Sequence, residues 1–378
     1  MLELVKYIKE HGLDKTLKDF RLKSRDYPNK VLIKYDQIES SMGERVVQEA
    51  RGIVLEKDTW KVMSLPFFKF FNAAEGHAAK IDWNTAHILE KCDGTMIHLY
   101  WDWNKNTWWA ATTGTAEGEG EVNNKLGTTF NELFWATVSD KYGLTPDSRF
   151  LEKTFVYVFE LTTPYNIVVK PHGESSVTLL TMRNRNTLEE LPYHILRSKA
   201  EEFINVPLVK SFDLNRSKNM DVGVLERTLE DMPWDEEGYV VVDADFNRIK
   251  VKNPAYVAVH HLKSKTSEHA IMSVVKTNEI DEFIATFPER ADEITNLHTS
   301  YNDLISRLEE GWNELKDRKP KNITPKEKKK YAMAVFEVIG KLDLKDFAGL
   351  YFSLNDGKVD SVKEFMFNYD NKKLYKML

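Results

Sequence analysis

Lys91-Cys92-Asp93-Gly94 brings an amine, a carboxylate and a glycine into four consecutive positions. Such an amine can attack phosphorus, the carboxylate can hold a ribose or orient the amine, and the glycine lets the backbone turn tightly beside a ligand. Read alone, the same residues also suit a solvated lysine–aspartate turn with glycine at positive φ. A lysine used as a nucleophile needs burial or neighbouring cations, because ammonium is the ordinary form at neutral pH. Lys250 and Lys252 are the cations that stand out. Two apart in a strand, they project to one face, which is either one wall of a phosphate pocket or a solvated outer surface. Glu160 closes an apolar strand and Glu237 precedes Gly238 and another such strand. Carboxylates at strand mouths can hold a ribose hydroxyl or a divalent cation, or face water. Arg51, at the start of a strand with Gly52, is equally open.

The elements that must position these groups are legible as changes of period. Leu4, Val5, Ile8, Leu13 and Leu17 recur at helical spacing, so the chain opens with one or two helices. Val31–Tyr35, Gly52–Leu55 and Trp60–Ser64 are short β-branched or aromatic runs, the last two joined by a turn at Lys57-Asp58-Thr59. Thr95–Trp101, Trp108–Thr113, Phe155–Glu160, Val177–Met182, Gly238–Val242 and Arg248–Lys252 continue the strand pattern, while Val122–Asp140 reads as an amphipathic helix. The strands cluster in antiparallel style. Beyond Pro254 the period becomes helical: Leu304, Leu308, Trp312 and Leu315, then Tyr331, Val335, Val338 and Ile339. Thr324-x-x-Glu327 and Ser361-x-x-Glu364 have capping-box spacing, with Pro325 at the first helical position. The expected organisation is α+β, an antiparallel-sheet domain over 1–262 followed by an all-helical domain over 263–378.

Composition narrows the setting. The chain has 378 residues, 42% hydrophobic and 30% charged, the balance of a globular protein and not of a disordered one. Its net charge of −6 means that a nucleic-acid partner would be met by a local basic face. One cysteine, Cys92, excludes an internal disulfide and a cysteine metal cage, as suits a reducing compartment. The first six residues, Met1–Lys6, lack the apolar core of a signal peptide, and no apolar run approaches the ~20 residues needed to span a bilayer. A cytoplasmic, monomeric protein without membrane attachment is expected, in the host cytoplasm if the source is viral.

Order adds what the pieces lack. Arg-Gly before a strand, Lys-x-Asp-Gly, strand-Glu, Glu-Gly-strand and Lys-x-Lys follow one another, and in that order they resemble the covalent nucleotidyltransferase superfamily of DNA ligases, RNA ligases and mRNA-capping enzymes. In detail the chain resembles the ATP-dependent single-strand RNA ligases of T-even bacteriophages, which repair broken tRNA. The likeness is carried by Arg51–Glu56, Pro66–Asn72, Lys91–Thr95, Phe159-Glu160 with Pro164 and Asn166, Glu237–Val240, and Lys250–Lys252 with Tyr256. It implies a nucleotidyltransferase (ATP-grasp-like ligase) domain that uses ATP and Mg²⁺ or Mn²⁺ on single-stranded RNA or nicked tRNA. It also implies roles: Lys91 takes AMP from ATP, Lys250 and Lys252 bind phosphates, Arg51 and Lys69 contact the nucleotide, and Glu160 the ribose. Glu237 acts with the metal, Tyr35 touches adenine, and Asp93 and Gly94 fill the motif's carboxylate and glycine places.

There are departures. Ala111–Thr115 stands where the family has Lys-x-Lys-Gly, so one cation is missing and a hydroxyl is expected in its place. Ile167 stands where the phage enzyme has arginine. DNA ligases and capping enzymes carry an OB-fold of short strands after Lys-x-Lys, whereas here the pattern is helical. A non-catalytic RNA-binding relic of the fold is the alternative from another class. Lys316, Arg318, Lys319, Lys321, Lys326, Lys328, Lys329 and Lys330 crowd one stretch of the helical region. That stretch is either an RNA-contacting patch, with Lys319, Lys321, Lys328 and Lys329 as candidate contacts, or a solvated basic loop. The helical segments also resemble, more loosely, the C-terminal domain that in this family favours tRNA.

Overall fold

Every candidate residue before the helical region lies in or beside a strand, and three sheets supply those strands. The computed structural model describes residues 1–378 apart from 123–126, 150, 166–168, 171, 202–204, 213–219, 264–267, 287–289 and 319–323. Two compact units result, Met1–Lys263 and Ser264–Leu378.

In the first unit, helices α1 (Glu3–His11), α2 (Leu13–Asp19) and α3 (Arg45–Glu49) flank strands β1 (Leu22–Asp26), β2 (Lys30–Tyr35), β3 (Arg51–Glu56) and β4 (Val62–Ser64), which form one sheet in that order. Strands β5 (Phe71–Asn72) and β6 (His87–Glu90) belong to the third sheet. The second sheet joins β7 (Thr95–Asp102), β8 (Thr107–Ala111), β9 (Phe155–Thr162) and β10 (Ser176–Asn184) in the order β10-β9-β7-β8, with α4 (Phe130–Tyr142) between β8 and β9 in sequence. Helices α5 (Tyr193–Lys199) and α6 (Val222–Leu229) flank β11 (Ser211–Phe212). Strands β12 (Gly238–Val242) and β13 (Arg248–Lys252) then complete the third sheet, β11-β6-β12-β13-β5, and α7 (Pro254–Lys263) follows. The strand pairs are antiparallel except β5 with β13, which run parallel.

The cores explain these faces. β7 is buried on both sides: Ile97, Leu99 and Trp101 pack with Phe134 and Phe159, while Tyr100 packs with Leu32, Val54 and Val158 between the first and second sheets. Leu4, Val5 and Ile8 of α1 cover the other side of the first sheet, and Leu225 and Leu229 of α6 cover the third. Lys30 crosses between the first two sheets. Its fully buried Nζ lies 2.7 Å from Asp102 Oδ2 and 2.8 Å from Glu117 Oε1, ringed by Trp109, Tyr100 and Tyr27.

The helix expected over Val122–Asp140 is shorter and later. Thr129 Oγ1 accepts from Glu132 N–H while the Glu132 carboxylate accepts from Thr129 N–H, and this capping box starts α4 at Phe130. Val122 instead packs apart from the helix, its N–H bonded to Thr128 O.

The second unit consists of α8 (Glu268–Thr277), α9 (Ile280–Thr286), α10 (Ala291–Leu315), α11 (Pro325–Lys341), α12 (Ala348–Asn355), α13 (Val362–Asn368) and α14 (Asn371–Met377), with short 3-10 turns at Lys316–Arg318 and Lys345–Phe347. Ile294, Leu297, Tyr301, Leu304 and Leu308 form a stripe on α10 that meets Tyr331, Val335, Val338 and Ile339 of α11. Thr324 and Ser361 accept from the N–H groups of Glu327 and Glu364, so both anticipated N-caps are formed. Among the described residues no strand occurs in this unit, and no helix in either unit is long and apolar enough to cross a membrane.

Candidate active site

Ile88 and Leu89 bury β6 in the third sheet, and the strand ends at Glu90. Lys91 therefore emerges from a fixed edge, its N–H donating to Gly238 O at 3.0 Å. The neighbouring strand delivers Glu237, whose Oε1 lies 2.5 Å from Lys91 Nζ. Gly238 sits at φ 127, and a Cβ there would stand 2.3 Å from Val251 O, so no larger residue lets β12 pass this close to β13. At Gly94 a Cβ would meet Leu161 O at 2.5 Å, which lets β7 and β9 close beside the lysine.

Around Lys91 lies a cavity of about 290 Å³. Arg51, Lys69, Gly94, Glu160 and Lys250 share its wall with Lys91, and Phe67, Phe70, Met96, Leu180 and Val240 give it an apolar side. The expected residues are thus drawn together from three sheets. Arg51 donates to Phe68 O at 3.3 Å, with its guanidinium 4.9 Å from the Phe70 ring centre. Burial lowers its pKa, against the nearby Tyr35 and Glu160. Lys250 is pulled down to about 7, first by burial and then by the charges of Lys252, Lys69 and Lys91. Glu160 is pushed up to about 8 by burial, with Lys91 and Arg51 pulling the other way and Glu237 adding to the rise. At pH 7 much of Glu160 is therefore a neutral carboxyl, able to donate a hydrogen bond as well as accept one. Burial also pushes up the Cys92 thiol, which leaves it inert.

Three expected residues stand elsewhere. The Asp93 carboxylate accepts the N–H groups of Val169 (3.1 Å) and Lys170 (2.8 Å), and its carbonyl oxygen is 3.1 Å from His172 Nε2. It pins the loop after β9 and is not turned to a ribose or the amine. Tyr35 lies beneath Lys69, whose Nζ is 5.3 Å from the ring centre, and is not in the cavity wall. Lys252 stands one strand pitch beyond Lys250 on the same face, outside the wall, opposite Gly238. Lys328 and Lys329 are exposed on α11 of the second unit, while Lys319, Lys321, Asn166 and Ile167 lie outside the described residues.

The threonines expected to replace a lysine are engaged within their own loop. Thr112 and Thr115 hydroxyls are 2.8 Å apart, and Thr112 Oγ1 accepts from the N–H groups of Gly114 and Thr115. The loop is anchored from below: Ser64 Oγ is 2.7 Å from His98 Nδ1, and His98 Nε2 is 3.0 Å from Thr112 O. Burial draws His98 down to about 4, so the neutral ring donates from Nε2 to that carbonyl and accepts at Nδ1. A different cation reaches the loop. Lys34 Nζ lies 3.7 Å from where a Cβ on Gly114 would stand, and Lys34 pairs with Arg51 across β2 and β3.

Sequence reasoning missed Arg248. It lines the cavity two residues before Lys250, on the same face of β13. Its Nη atoms donate to the two Glu190 oxygens at 3.1 and 2.8 Å, and its guanidinium lies 4.6 Å from the Phe67 ring centre. Glu190 also accepts from Arg183 Nη2 at 2.5 Å. Burial pushes Glu190 up, but Arg248 and Arg183 overcome it and hold it below the usual carboxylate range. The signal was available as a three-step alternation, Arg248-x-Lys250-x-Lys252.

A profile of the RNA ligase family matches residues 49–256, a span that holds the whole cavity wall. The chain belongs to this phage-type RNA ligase family. An RNA ligase of Rhodothermus phage RM378 is 25% identical over 349 residues, covering 76% of this chain and 78% of that one. Among solved structures, an archaeal ATP-dependent RNA ligase is 14% identical with a TM-score of 0.47, covering 91% of this chain and 81% of its own. A Naegleria gruberi RNA ligase variant with ATP and Mn is 13% identical with a TM-score of 0.35, covering 47% of this chain and 51% of its own. As an RNA ligase, this chain is an enzyme.

Proposed function

We propose that this RNA ligase joins RNA 5′-phosphate and 3′-hydroxyl ends with ATP through a lysyl-AMP intermediate on Lys91, in the repair of tRNA or other broken RNA. The observation that carries the reading is the setting of Lys91: an amine in a cavity walled by Arg51, Lys69, Arg248 and Lys250, with Glu160 and Glu237 beside it. Those cations suit a triphosphate, and the apolar side suits a purine.

In the first step a neutral Lys91 amine attacks the α-phosphorus. The N–P bond forms, the bond to pyrophosphate breaks, and the amine's proton passes to the Glu237 carboxylate paired with it. Glu237, already paired with Lys91, orients the amine. A phosphate oxygen of the RNA 5′ end then displaces the lysine and takes the AMP, and a 3′-hydroxyl finally displaces AMP to form the phosphodiester. Lys250 and Lys252 hold phosphate charge, Arg51 and Lys69 the nucleotide, and Glu160 the ribose.

The donor set suits Mg²⁺ or Mn²⁺. Among the described residues no cluster of three metal-ligating side chains occurs, but the Glu237 carboxylate stands beside the amine. A hard cation held by one or two carboxylates, with phosphate oxygens and water completing its shell, fits that supply. Such an ion supplies neutralisation of phosphate charge.

The all-helical character of the residues described after Lys263 supports an RNA ligase over DNA-ligase and capping readings, which call for short strands there. We assign the second unit to RNA choice, tRNA included. Lys326, Lys328, Lys329 and Lys330 are exposed in the opening turns of α11. Cations there oppose the helix dipole, a conflict that a phosphate backbone relieves.

The direct test is incubation with α-labelled ATP and Mg²⁺. A labelled protein–AMP adduct is expected, and Lys91→Ala abolishes it. An adduct of wild-type yield in that variant would refute the assignment.

A further inference from the structure

A second concavity, of about 700 Å³, opens on the first unit beside the nucleotide cavity. Its walls come from the end of α4 (Lys141, Tyr142), from α5 (Tyr193, Arg197) and from the segment ending in Val209 and Lys210. Lys141, Arg197 and Lys210 face one lining carboxylate, Glu201, an excess of positive charge in a chain of net charge −6. Arg197 and Lys210 are exposed, and Lys141 is paired with the strongly exposed Glu174, 3.0 Å away. Arg197 lies over the Tyr193 ring, 5.3 Å from its centre, so its charge is held on an aromatic face.

The groove is joined to the reactive centre by backbone. Val209 lines both concavities, and its carbonyl accepts from the Tyr193 hydroxyl at 2.8 Å. Lys210 O accepts from Glu90 N–H at 2.9 Å, one residue before Lys91, and Ser211 pairs with Leu89 across β11 and β6. A strand lying along Arg197 and Lys210 would thus run beside the strand that ends at the nucleophile.

We propose that this groove binds single-stranded RNA and leads its end toward Lys91. The inference rests on the ligase reading above. Its chemistry is that of sequence-tolerant single-strand binding: cations track the phosphates, while the Arg197 guanidinium and Tyr142 take bases by stacking. It assigns an RNA contact to the catalytic unit itself, apart from the lysines of α11.

The test uses the full chain and a short 5′-phosphorylated oligouridylate, with affinity measured across a salt series without ATP. The Arg197→Ala/Lys210→Ala variant is expected to bind about tenfold more weakly, with a salt slope shallower by about 1.4 for two lost phosphate contacts at roughly 0.7 each. Arg197→Lys/Lys210→Arg should bind nearly as wild type. Adduct formation with ATP alone should stay at the wild-type level. Unchanged RNA affinity in the alanine variant overturns the groove, and so does equal binding of polyglutamate, which would mark an acidic-peptide site. Cross-linking of 4-thiouridine RNA to the wild-type chain gives an independent reading. Adducts on the peptides of Tyr142, Tyr193 or Lys210 support the proposal, and adducts confined to other peptides overturn it. Absence of a protein–AMP adduct in the wild type refutes the ligase reading instead, leaving the RNA measurements to judge the groove.

Discussion

Under the proposed function, Lys250 links nucleotide binding to pH. Burial and the surrounding cations bring it to about 7, so its charge is half lost at neutral pH when the cavity holds no phosphate. A triphosphate binds the charged form, so binding above pH 7 draws in a proton and affinity declines as pH rises through that value. Titration calorimetry in buffers of different ionisation enthalpy should register the uptake, and Lys250→Met should bind more weakly with a flatter pH profile. An equally steep profile in that variant would move the titration elsewhere. Glu160 moves in the opposite direction: its raised pKa keeps a proton on the carboxyl at pH 7. One cavity therefore holds a lysine partly stripped of charge and a glutamate partly relieved of it. Such pairing of shifted groups is common where a ligand brings its own charge.

At the scale of elements, Lys30 binds β2 of the first sheet to β7 of the second through Asp102, both side chains being fully buried. Lys30→Met keeps the volume but strands a buried carboxylate, and removing one partner of such a pair costs about 3–5 kcal/mol. Chemical denaturation should show that loss, and Lys30→Met with Asp102→Leu should recover part of it. A single-variant loss below about 1 kcal/mol would place the junction's strength in the surrounding aromatics. The strands that carry the site were readable because apolar residues dominate them: β2, β3, β7, β9 and β12 all bury most of their side chains. β1 was not, since Leu22 is its one buried residue and the rest is polar and exposed, held by its partner β2. The start of α4 was misread because Val122 and Leu126 continue a helical spacing that the Thr129–Glu132 cap cuts off. Arg248 escaped for a related reason. Its meaning lies in contacts to Glu190 and Phe67, which are remote in sequence and meet it only when the chain after β10 and the chain before β5 approach β13.

For the whole molecule, the proposed roles of the two units predict separable demands on RNA. Lys328→Ala/Lys329→Ala in the full chain should leave adduct formation and the joining of short linear RNA near wild type and weaken tRNA joining. The salt slope for tRNA should fall by about 1 per lysine removed. Equal effects on both RNAs would assign α11 a general electrostatic role and not one in selection. Within the first unit, the cavity wall is gathered from β3, β7, β9, β10, β12 and β13 and from the chain around β6. This dispersal sets a sequence in time. During synthesis Lys91 leaves the ribosome well before Glu237, Arg248 and Lys250, so a nascent chain carries the amine without the neighbours that the proposed chemistry requires. Nor can an arrested or truncated product that stops short of β13 complete the wall. Under the proposed chemistry, consumption of ATP is thereby tied to completion of the catalytic unit, and fragments left by interrupted translation would draw nothing from the nucleotide pool.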